Sequence, residues 1–156
     1  MTTIIQAVSE AEVAEARDLF REYESWLGLS LCFQNFDDEV SGLPGKYSPP
    51  DGRLLLAYTG EGELAGCVAM RKLEDGICEM KRLFVRDAYR GRRVGVALLE
   101  KVIDEARLVG YNKLRLDTYP PRMQKAAALY ERYGFREIAP YYHNPYGDTL
   151  FMELAL

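Results

Sequence analysis

The segment from Lys81 to Arg93 holds the residue types best suited to binding a phosphate. Six of its residues are lysine or arginine and one is acidic; Gly91 lies within it and Gly95 just beyond it. The segment leads from an apolar strand pattern into an apolar helical repeat, and a helix N-terminus attracts anions through its unpaired N–H groups and its dipole. Glycine lets the backbone approach a ligand closely. The pattern predicts a pyrophosphate-binding turn, although most charge clusters of this kind are solvated loops.

The overall charge limits the partners of this turn. The chain has a formal net charge of −4, although residues 81–93 carry a net +5. A nucleic-acid binder needs a broad basic face, whereas one basic turn on an acidic chain suits a small polyanion. We therefore expect a small anionic ligand and no nucleic-acid partner.

Length and composition predict one globular domain over residues 1–156. The apolar share of 48% and the charged share of 28% are ordinary, and no repeat or low-complexity segment is present. No apolar run approaches the roughly 18 residues of a membrane span, and the N-terminus lacks a signal-peptide pattern, so we expect a cytoplasmic protein with no membrane partner. Three widely spaced cysteines and one histidine argue against a disulfide framework and predict no metal site.

Hydrophobic periodicity and turn residues predict the secondary structure. Ser9 and Glu12 form a capping-box pattern for a helix that runs to Leu27 and ends at Gly28. Two further helices are predicted at 94–109 and 122–133, with a short one near 37–41 in an otherwise irregular stretch. Seven strands are predicted at 3–8, 53–59, 64–73, 77–85, 113–119, 134–139 and 149–154.

The order of these elements indicates an α+β fold of three layers. A strand, a helix and a three-strand meander come first, and helix, strand, helix and two strands follow, which gives a mixed, mostly antiparallel sheet with helices on both faces. The order excludes a doubly wound nucleotide-binding fold. Strand alternation places Glu79 on the same face as Lys81, Leu83 and Val85.

Two motifs in this framework resemble the signatures of the GNAT N-acetyltransferase superfamily. Arg90-Gly-Arg-Arg-Val-Gly95 is similar to the family's acetyl-coenzyme A signature, and Ala126-Ala-Ala-Leu-Tyr-Glu-Arg-Tyr-Gly-Phe135 is similar to its second signature. The two motifs occur in the family's order and at the family's separation. Two departures stand out: Arg93 replaces the usual first glycine, with a second register from Arg92 through Gly95, and Met123 replaces a frequent asparagine.

The resemblance implies a binding mode for acetyl-CoA as cosubstrate. In the family the strand that ends at Val85 splays away from the strand 113–119, and the pantetheine arm pairs with the exposed backbone of that first strand. The pyrophosphate then binds the N–H groups of the following turn. The implied cofactor-binding residues are Leu83, Phe84, Val85, Arg90, Gly91, Arg92, Arg93, Val94, Gly95, Val96 and Tyr130.

The resemblance also implies a division of catalytic work. Glu79 matches, by its distance from Arg90, the glutamate that serves as base in some members; an ion pair with Lys81 or an arginine is an equal alternative. Such a base is needed because an amine of pKa ~10.4 is protonated at neutral pH. A backbone N–H near Val85 would stabilise the oxyanion. Tyr130 matches the family tyrosine that protonates the leaving thiolate, although a core aromatic would occupy the same helical position.

The acceptor site is less clearly encoded. In the superfamily it is shaped by the segment after the first helix and by the loop before the last strand, which are both aromatic here with interspersed amides. The substrate-binding candidates are Trp26, Phe33, Phe36, Tyr142 and His143. Such a lining suits a small, partly apolar or amine-bearing molecule. Packing roles are the alternative for each aromatic, and His143 is an alternative base because its ordinary pKa lies near neutrality.

Two classes of function follow from the sequence. The first is an enzyme that moves acetyl from acetyl-CoA to a primary amine by direct attack, with a small-molecule acceptor favoured over a protein lysine or N-terminus. The second is a non-catalytic module that binds acyl-CoA and signals that state to a partner. The retention of Glu79 and Tyr130 favours the enzyme. Pairing of C-terminal strands into a homodimer is a further expectation from the resemblance.

Overall fold

The computed structural model describes residues 1–156 and contains one seven-stranded sheet. Its strands are β1 (Thr3–Gln6), β2 (Arg53–Tyr58), β3 (Leu64–Glu74), β4 (Ile77–Val85), β5 (Lys113–Thr118), β6 (Arg136–Ile138) and β7 (Leu150–Ala155). They lie in the order β1-β2-β3-β4-β5-β7-β6, and all neighbours are antiparallel except β4 and β5. The predicted mixed sheet of seven strands is confirmed.

Four α-helices cover the two faces of the sheet: α1 (Glu10–Leu27), α2 (Phe36–Ser41), α3 (Val94–Val109) and α4 (Ala126–Arg132). One apolar core lies between the sheet and α3 with α4, and the other lies between the sheet and α1 with α2. The prediction of helices on both faces is therefore confirmed. No helix of the structure combines the length and the apolar character that crossing a lipid bilayer requires.

The ends of α1 follow the predicted capping chemistry. Ser9 and Glu12 exchange hydrogen bonds as a capping box, with Glu12 N–H donating to the Ser9 hydroxyl at 3.1 Å and Ser9 N–H donating to the Glu12 carboxylate at 3.0 Å. Gly28 ends the helix in the left-handed conformation, at φ +72°. The Arg122 guanidinium donates to the carbonyls of Trp26 and Leu27, which α1 leaves without helical partners.

The C-terminal half of the predicted helix 122–133 is helical, but its N-terminal half is not. Residues 120–125 form successive turns, and α4 begins at Ala126. The reason is the tertiary contact just described, because Arg122 reaches across to the end of α1 instead of extending the helix. In α3, Leu98, Val102 and Ala106 are buried, whereas Val109 is only half-buried at the last turn.

The parallel contact between β4 and β5 is short, and it opens a gap in the middle of the sheet. Only Ile77, Cys78 and Glu79 of β4 pair with β5, opposite residues 113–115. Beyond this point β4 continues beside β3, and β5 continues beside β7, with no ladder between them. The two strand edges on either side of the gap therefore present backbone groups that the sheet does not use.

A β-bulge in β4 alters which side chains face the gap. Arg82 has φ +62°, and the pairing with β3 shifts there, so that Arg82 and Leu83 together oppose one residue of β3. The predicted shared face of Glu79, Lys81, Leu83 and Val85 is therefore wrong. Leu83 and Val85 pack against the α3 side of the sheet, whereas Phe84 belongs to the core under α1.

An ion pair holds the bulge in place. The Arg82 guanidinium donates two hydrogen bonds of 2.9 Å to the Glu39 carboxylate of α2, and it lies 5.1 Å from the centre of the Phe36 ring. A non-glycine residue in the left-handed region costs on the order of 1 kcal/mol. The bidentate bond to Glu39 offsets that cost and fixes α2 over the strand.

Candidate functional site

The largest pocket lies where the open edge of β4 meets the N-terminus of α3. It has a volume of about 680 Å³ and is called the main pocket below. Ten of the eleven predicted cofactor-binding residues line it. The exception is Arg92, whose side chain is exposed and lies over the Tyr89 ring at 5.5 Å. The signature residues therefore converge on one pocket.

The N-terminus of α3 opens into this pocket with its amides unused. The first backbone bond of the helix runs from Ala97 N–H to the Arg93 carbonyl, and Val94, Gly95 and Val96 have no backbone acceptor. No side chain caps the helix. Three N–H groups at the positive end of a helix of 16 residues form an anion site without further help from side chains.

The backbone of this turn explains where glycine is preferred. Gly91 has φ +83°, and Arg93, the N-cap of α3, has φ +62°. The family signature has glycine at the position of Arg93 because the backbone there is left-handed, a conformation that glycine adopts without strain. In this chain an arginine adopts the same conformation. A methyl group added at Gly95 would lie 3.6 Å from Val85 Cγ2, an ordinary contact distance. Helix–sheet packing therefore does not require glycine at position 95.

The segment between the two signatures extends the pocket. Met123, which replaces a frequent asparagine of the family, lines it, and so do three residues that the motifs did not reveal: Arg122, Gln124 and Lys125. Arg122 and Lys125 add two cations to those of Arg90 and Arg93. The sequence signal for Arg122, Gln124 and Lys125 was their position between the two signatures, directly after Pro120-Pro121. The sequence pattern predicted a continuous helix there.

Arg90 covers the open edge of β4. Its Nε donates to the Val85 carbonyl at 3.0 Å, and its guanidinium lies 4.8 Å from the centre of the Trp26 ring. The adjacent Arg86 N–H bonds to Ala65 of β3, so the backbone of Val85 faces the gap, as strand alternation requires. Trp26, which was predicted to bind the acceptor, therefore lines the main pocket beside Arg90.

Tyr130 closes the inner end of the main pocket. Its ring is buried against Phe135, with 5.6 Å between the ring centres, and its hydroxyl has no hydrogen-bond partner in the protein. Burial raises the pKa of Tyr130 well above its ordinary value. The hydroxyl consequently keeps its proton at neutral pH and is available as a donor to whatever occupies the pocket.

Glu79 lies at the closed end of the gap, as the last residue of β4 that pairs with β5. It is 1% exposed. Arg71 Nε donates to Oε1 at 3.0 Å, the Tyr141 hydroxyl donates to Oε2 at 2.6 Å, and Lys81 Nζ lies 3.8 Å from Oε1. The ion pairs predicted as one alternative for Glu79 are therefore present, whereas its carboxylate lines none of the pockets described here and its role as a base stays a prediction.

A second carboxylate, which sequence reasoning missed, lies across the gap on β5. Asp117 accepts a hydrogen bond from the Tyr142 hydroxyl, which also accepts bonds from Gln34 at 3.2 Å and Asn144 at 3.0 Å. Alternation along a six-residue strand gave no sign that this aspartate faces an opening in the sheet. Burial and the nearby Asp117 charge raise the pKa of Tyr142.

The acceptor-site candidates fall into three groups. Tyr142 and Phe33 lie at the gap, where Phe33 packs edge-on to Tyr146 with 5.7 Å between the ring centres. Phe36 is 2% exposed in the core beneath Arg82 and lines none of the pockets described here, so the structure does not bring it to the site. His143 is exposed and lines none of the pockets described here, so the structure does not bring it to the site.

The mixed sheet splays beside a helix N-terminus whose amides are unused, and a phenol lies at the inner end of the resulting pocket. These features are those of an acyltransferase. The chain belongs to the Acetyltransferase (GNAT) family, whose model matches residues 9–135, and members of this family generally use acetyl-CoA. Two of its relatives are named N-acetyltransferases. With the family match, these names identify the protein as an acetyltransferase enzyme.

Three proteins illustrate the similarity. An uncharacterized N-acetyltransferase of Schizosaccharomyces pombe is 40% identical over 139 residues, which cover 88% of this chain and 85% of that protein. The IAA acetyltransferase of Azospirillum brasilense is 40% identical over 111 residues, 69% of this chain and 70% of its own. A GNAT-family acetyltransferase structure from Staphylococcus aureus Mu50 superimposes with a TM-score of 0.82 at 20% identity, over 99% of each chain.

Proposed function

We propose that the protein transfers the acetyl group of acetyl-CoA to the primary amine of a small molecule, by direct attack within a ternary complex. The observation that carries this proposal is the main pocket itself, which joins the unused amides of Val94, Gly95 and Val96 to the gap between β4 and β5. A pyrophosphate bound at the amides places a pantetheine arm along Leu83 and Val85, and its thioester then lies near Tyr130.

Arg90 has to move for the donor to bind in this way. Its Nε now donates a hydrogen bond to the Val85 carbonyl, which is the oxygen that would accept a hydrogen bond from a pantetheine amide. The cation–π contact with Trp26 and the hydrogen bond to Val85 are each worth on the order of 1 kcal/mol, and the bond to the exposed Asp87 carboxylate at 3.3 Å is worth about 1 kcal/mol at most, so the cost of release is small. Once released, the guanidinium is a cation near the phosphates.

The transfer needs a base and an acid. The amine nitrogen attacks the thioester carbonyl and forms the N–C bond, the C–S bond breaks, the amine loses a proton and the thiolate gains one. Glu79, at the closed end of the gap, is proposed as the base, and Tyr130 is proposed to protonate the sulfur because its raised pKa keeps the hydroxyl protonated. The backbone N–H of Val85, which faces the gap, is proposed as the oxyanion donor.

The size of the openings favours a small acceptor. The cavity beside Asp117 and Tyr142 has a volume of about 30 Å³, and a separate polar pocket of about 420 Å³ lies next to it. A protein lysine or N-terminus would need a longer open groove over the gap.

A coenzyme A release assay tests the proposal. The protein, acetyl-CoA and a panel of primary amines are mixed, and the liberated thiol is measured with a thiol reagent. We expect release with at least one small amine and no release without an acceptor. Binding of acetyl-CoA with no turnover on any amine would instead support the non-catalytic module, and turnover restricted to peptides would support the protein acetyltransferase.

Replacing Glu79 by glutamine tests the base. We expect kcat/KM at pH 7 to fall about 100-fold, as is typical for the loss of a positioned base. The deficit should shrink as the pH is raised toward the amine pKa, because the acceptor then loses its proton in solution. Glu153→Gln is the matched control, since Glu153 is a half-buried carboxylate ion-paired with Arg115 at 2.8 Å, outside the pockets. A pH-independent deficit would contradict the assignment.

A further inference from the structure

The polar pocket beside the gap is lined mainly by polar and charged residues, whereas the main pocket is lined mainly by apolar ones. It measures about 420 Å³ and lies between α2, the following turn, β3 and β4. Tyr47 is its one large apolar side chain, and cations and carboxylates make up much of the rest. No step of the transfer described above uses this pocket, although two of its cations, Arg71 and Lys81, adjoin Glu79.

The pairing of charges leaves one buried cation without a carboxylate of its own. Arg82 is satisfied by Glu39 through two hydrogen bonds, and the Arg71 Nε is satisfied by Glu79. Lys81, with a side chain 9% exposed, donates at hydrogen-bond distance only to the neutral amide of Gln34, at 3.0 Å. Burial and the adjacent Arg82 charge lower the pKa of Lys81, as expected for an ammonium without a close counterion.

Arg71 offers the complementary half of an anion site. Only its Nε is used, by Glu79, and its two terminal nitrogens have no partner in the protein. The side chain is 24% exposed and lines the polar pocket together with Lys81. The free end of a guanidinium binds a carboxylate in a bidentate manner, and a nearby ammonium strengthens that bond.

The polar pocket and the main pocket each share a lining residue with the 30 Å³ cavity. Gln34 lines both the polar pocket and the 30 Å³ cavity, and Met123 lines both that cavity and the main pocket. The cavity also contains Asp117, an anion suited to an ammonium group. The bulge at Arg82 places Lys81 on the opposite face of β4 from Leu83. An acceptor with its anionic group at Lys81 would therefore have to extend through the gap between β4 and β5 to reach the thioester.

Resting on the proposed function, we infer that the acceptor is an amino acid or a similar amine that carries a carboxylate. The carboxylate is bound by the terminal nitrogens of Arg71 and by Lys81 Nζ, and the amine points toward Asp117 and the gap. A carboxylate supplies the buried Lys81 ammonium with the close counterion that it lacks. A phosphate dianion fits less well, because Asp38 and Glu39 line the same pocket.

The test compares amines that differ only in this group. Alpha-amino, beta-amino and aromatic amino carboxylic acids are each assayed beside the corresponding carboxamide. We expect kcat/KM for the preferred acid to exceed that for its amide by about 30-fold, the usual size of a lost charge-assisted contact. In Lys81→Gln and in Arg71→Lys, which keeps a cation beside Glu79, the ratio of kcat/KM for the acid to kcat/KM for its amide should fall toward one, mainly through the KM of the acid.

Lys72→Gln is the matched control, because Lys72 lies on β3 next to Arg71 but is half-exposed, pairs with Asp75 and does not line the polar pocket. Thermal midpoints of all variants establish that they fold. Equal use of acids and amides by the wild type, or an acid preference that survives Lys81→Gln, would overturn the inference.

A calorimetric titration separates failure of this site from failure of the proposed function. The same amino acids are titrated into the wild type and into Lys81→Gln in the presence of coenzyme A. If no amine is acetylated, the proposed function fails. In that case, binding that Lys81→Gln abolishes still supports the carboxylate site, and the absence of binding by any acid overturns it.

Discussion

Tyr130→Phe is expected to lower kcat about 1,000-fold while leaving the affinity for acetyl-CoA nearly unchanged. The hydroxyl is the only group removed, and it lines the inner end of the main pocket without a protein partner. A thiol has an ordinary pKa near ~8.5 and leaves more readily when a proton is supplied, and positioned acids contribute on the order of 10²–10⁴ in rate. Steady-state kinetics and calorimetry with coenzyme A measure the two quantities.

The pH profile gives this prediction a second readout. Because burial raises the pKa of Tyr130 above its ordinary 10.0, the acid form persists to beyond pH 10. Below that pH, deprotonation of this hydroxyl should therefore cause no loss of kcat in the wild type. Since the hydroxyl makes no bond within the protein, the free energy of unfolding should change by less than about 0.5 kcal/mol.

Tyr133→Phe is the control for Tyr130→Phe. Tyr133 follows α4 directly, and its hydroxyl donates to Glu100 at 2.9 Å on the exposed side of the helix. Its removal should leave kcat unchanged. Full activity in Tyr130→Phe, or a loss confined to acetyl-CoA affinity, would show that the tyrosine has a packing or binding role instead of supplying a proton.

Local chemistry made the ends of several elements predictable. Ser9 with Glu12 at one end of α1 and Gly28 at the other act through backbone bonds within a few residues. The strand 77–85 and the helix 94–109 have the predicted bounds, because their apolar periods are long and a basic turn separates them. The main pocket was predictable for the same reason, since its amides and left-handed residues belong to one contiguous segment.

Features that depend on distant partners were not predictable. The bulge at Arg82 exists because Glu39, 43 residues earlier, binds the guanidinium in a bidentate manner, and no glycine marks the position. The delayed start of α4 depends on Arg122 and the end of α1. The one extra residue of this bulge places Leu83 and Val85 on the opposite face of β4 from Lys81. Strict alternation would have placed all three on the same face.

The acceptor end shows the same limit. Asp117 and Lys81 became site candidates only when the gap and the unequal pairing of charges were visible. Phe36 and His143 had suitable side chains, but one is buried under Arg82 and the other is in solvent. Residue type near the site was therefore a weak predictor, because burial and partner choice decide which groups remain available to a ligand.

Gly95→Leu is expected to weaken the binding of coenzyme A and acetyl-CoA by at least about 1,000-fold. The added Cβ lies 3.6 Å from Val85 Cγ2, and both residues line the main pocket, so the larger side chain extends into the path of the pantetheine arm. Displacing the pyrophosphate from the α3 amides removes two or more charge-assisted hydrogen bonds of about 1.5–3 kcal/mol each. Isothermal calorimetry measures the change directly.

Gly95→Ala separates this effect from an effect on folding. Its methyl group makes only an ordinary contact with Val85, and alanine has a better helix propensity than glycine by up to about 1 kcal/mol. We therefore expect an unchanged or raised thermal midpoint and a loss of affinity of less than about tenfold. If Gly95→Leu folds with a normal midpoint and still binds coenzyme A as tightly as the wild type, the helix N-terminus is not the pyrophosphate site. The donor would then have to bind outside the main pocket, and the proposed route of the thioester from the α3 amides to the gap in the sheet would fail with it.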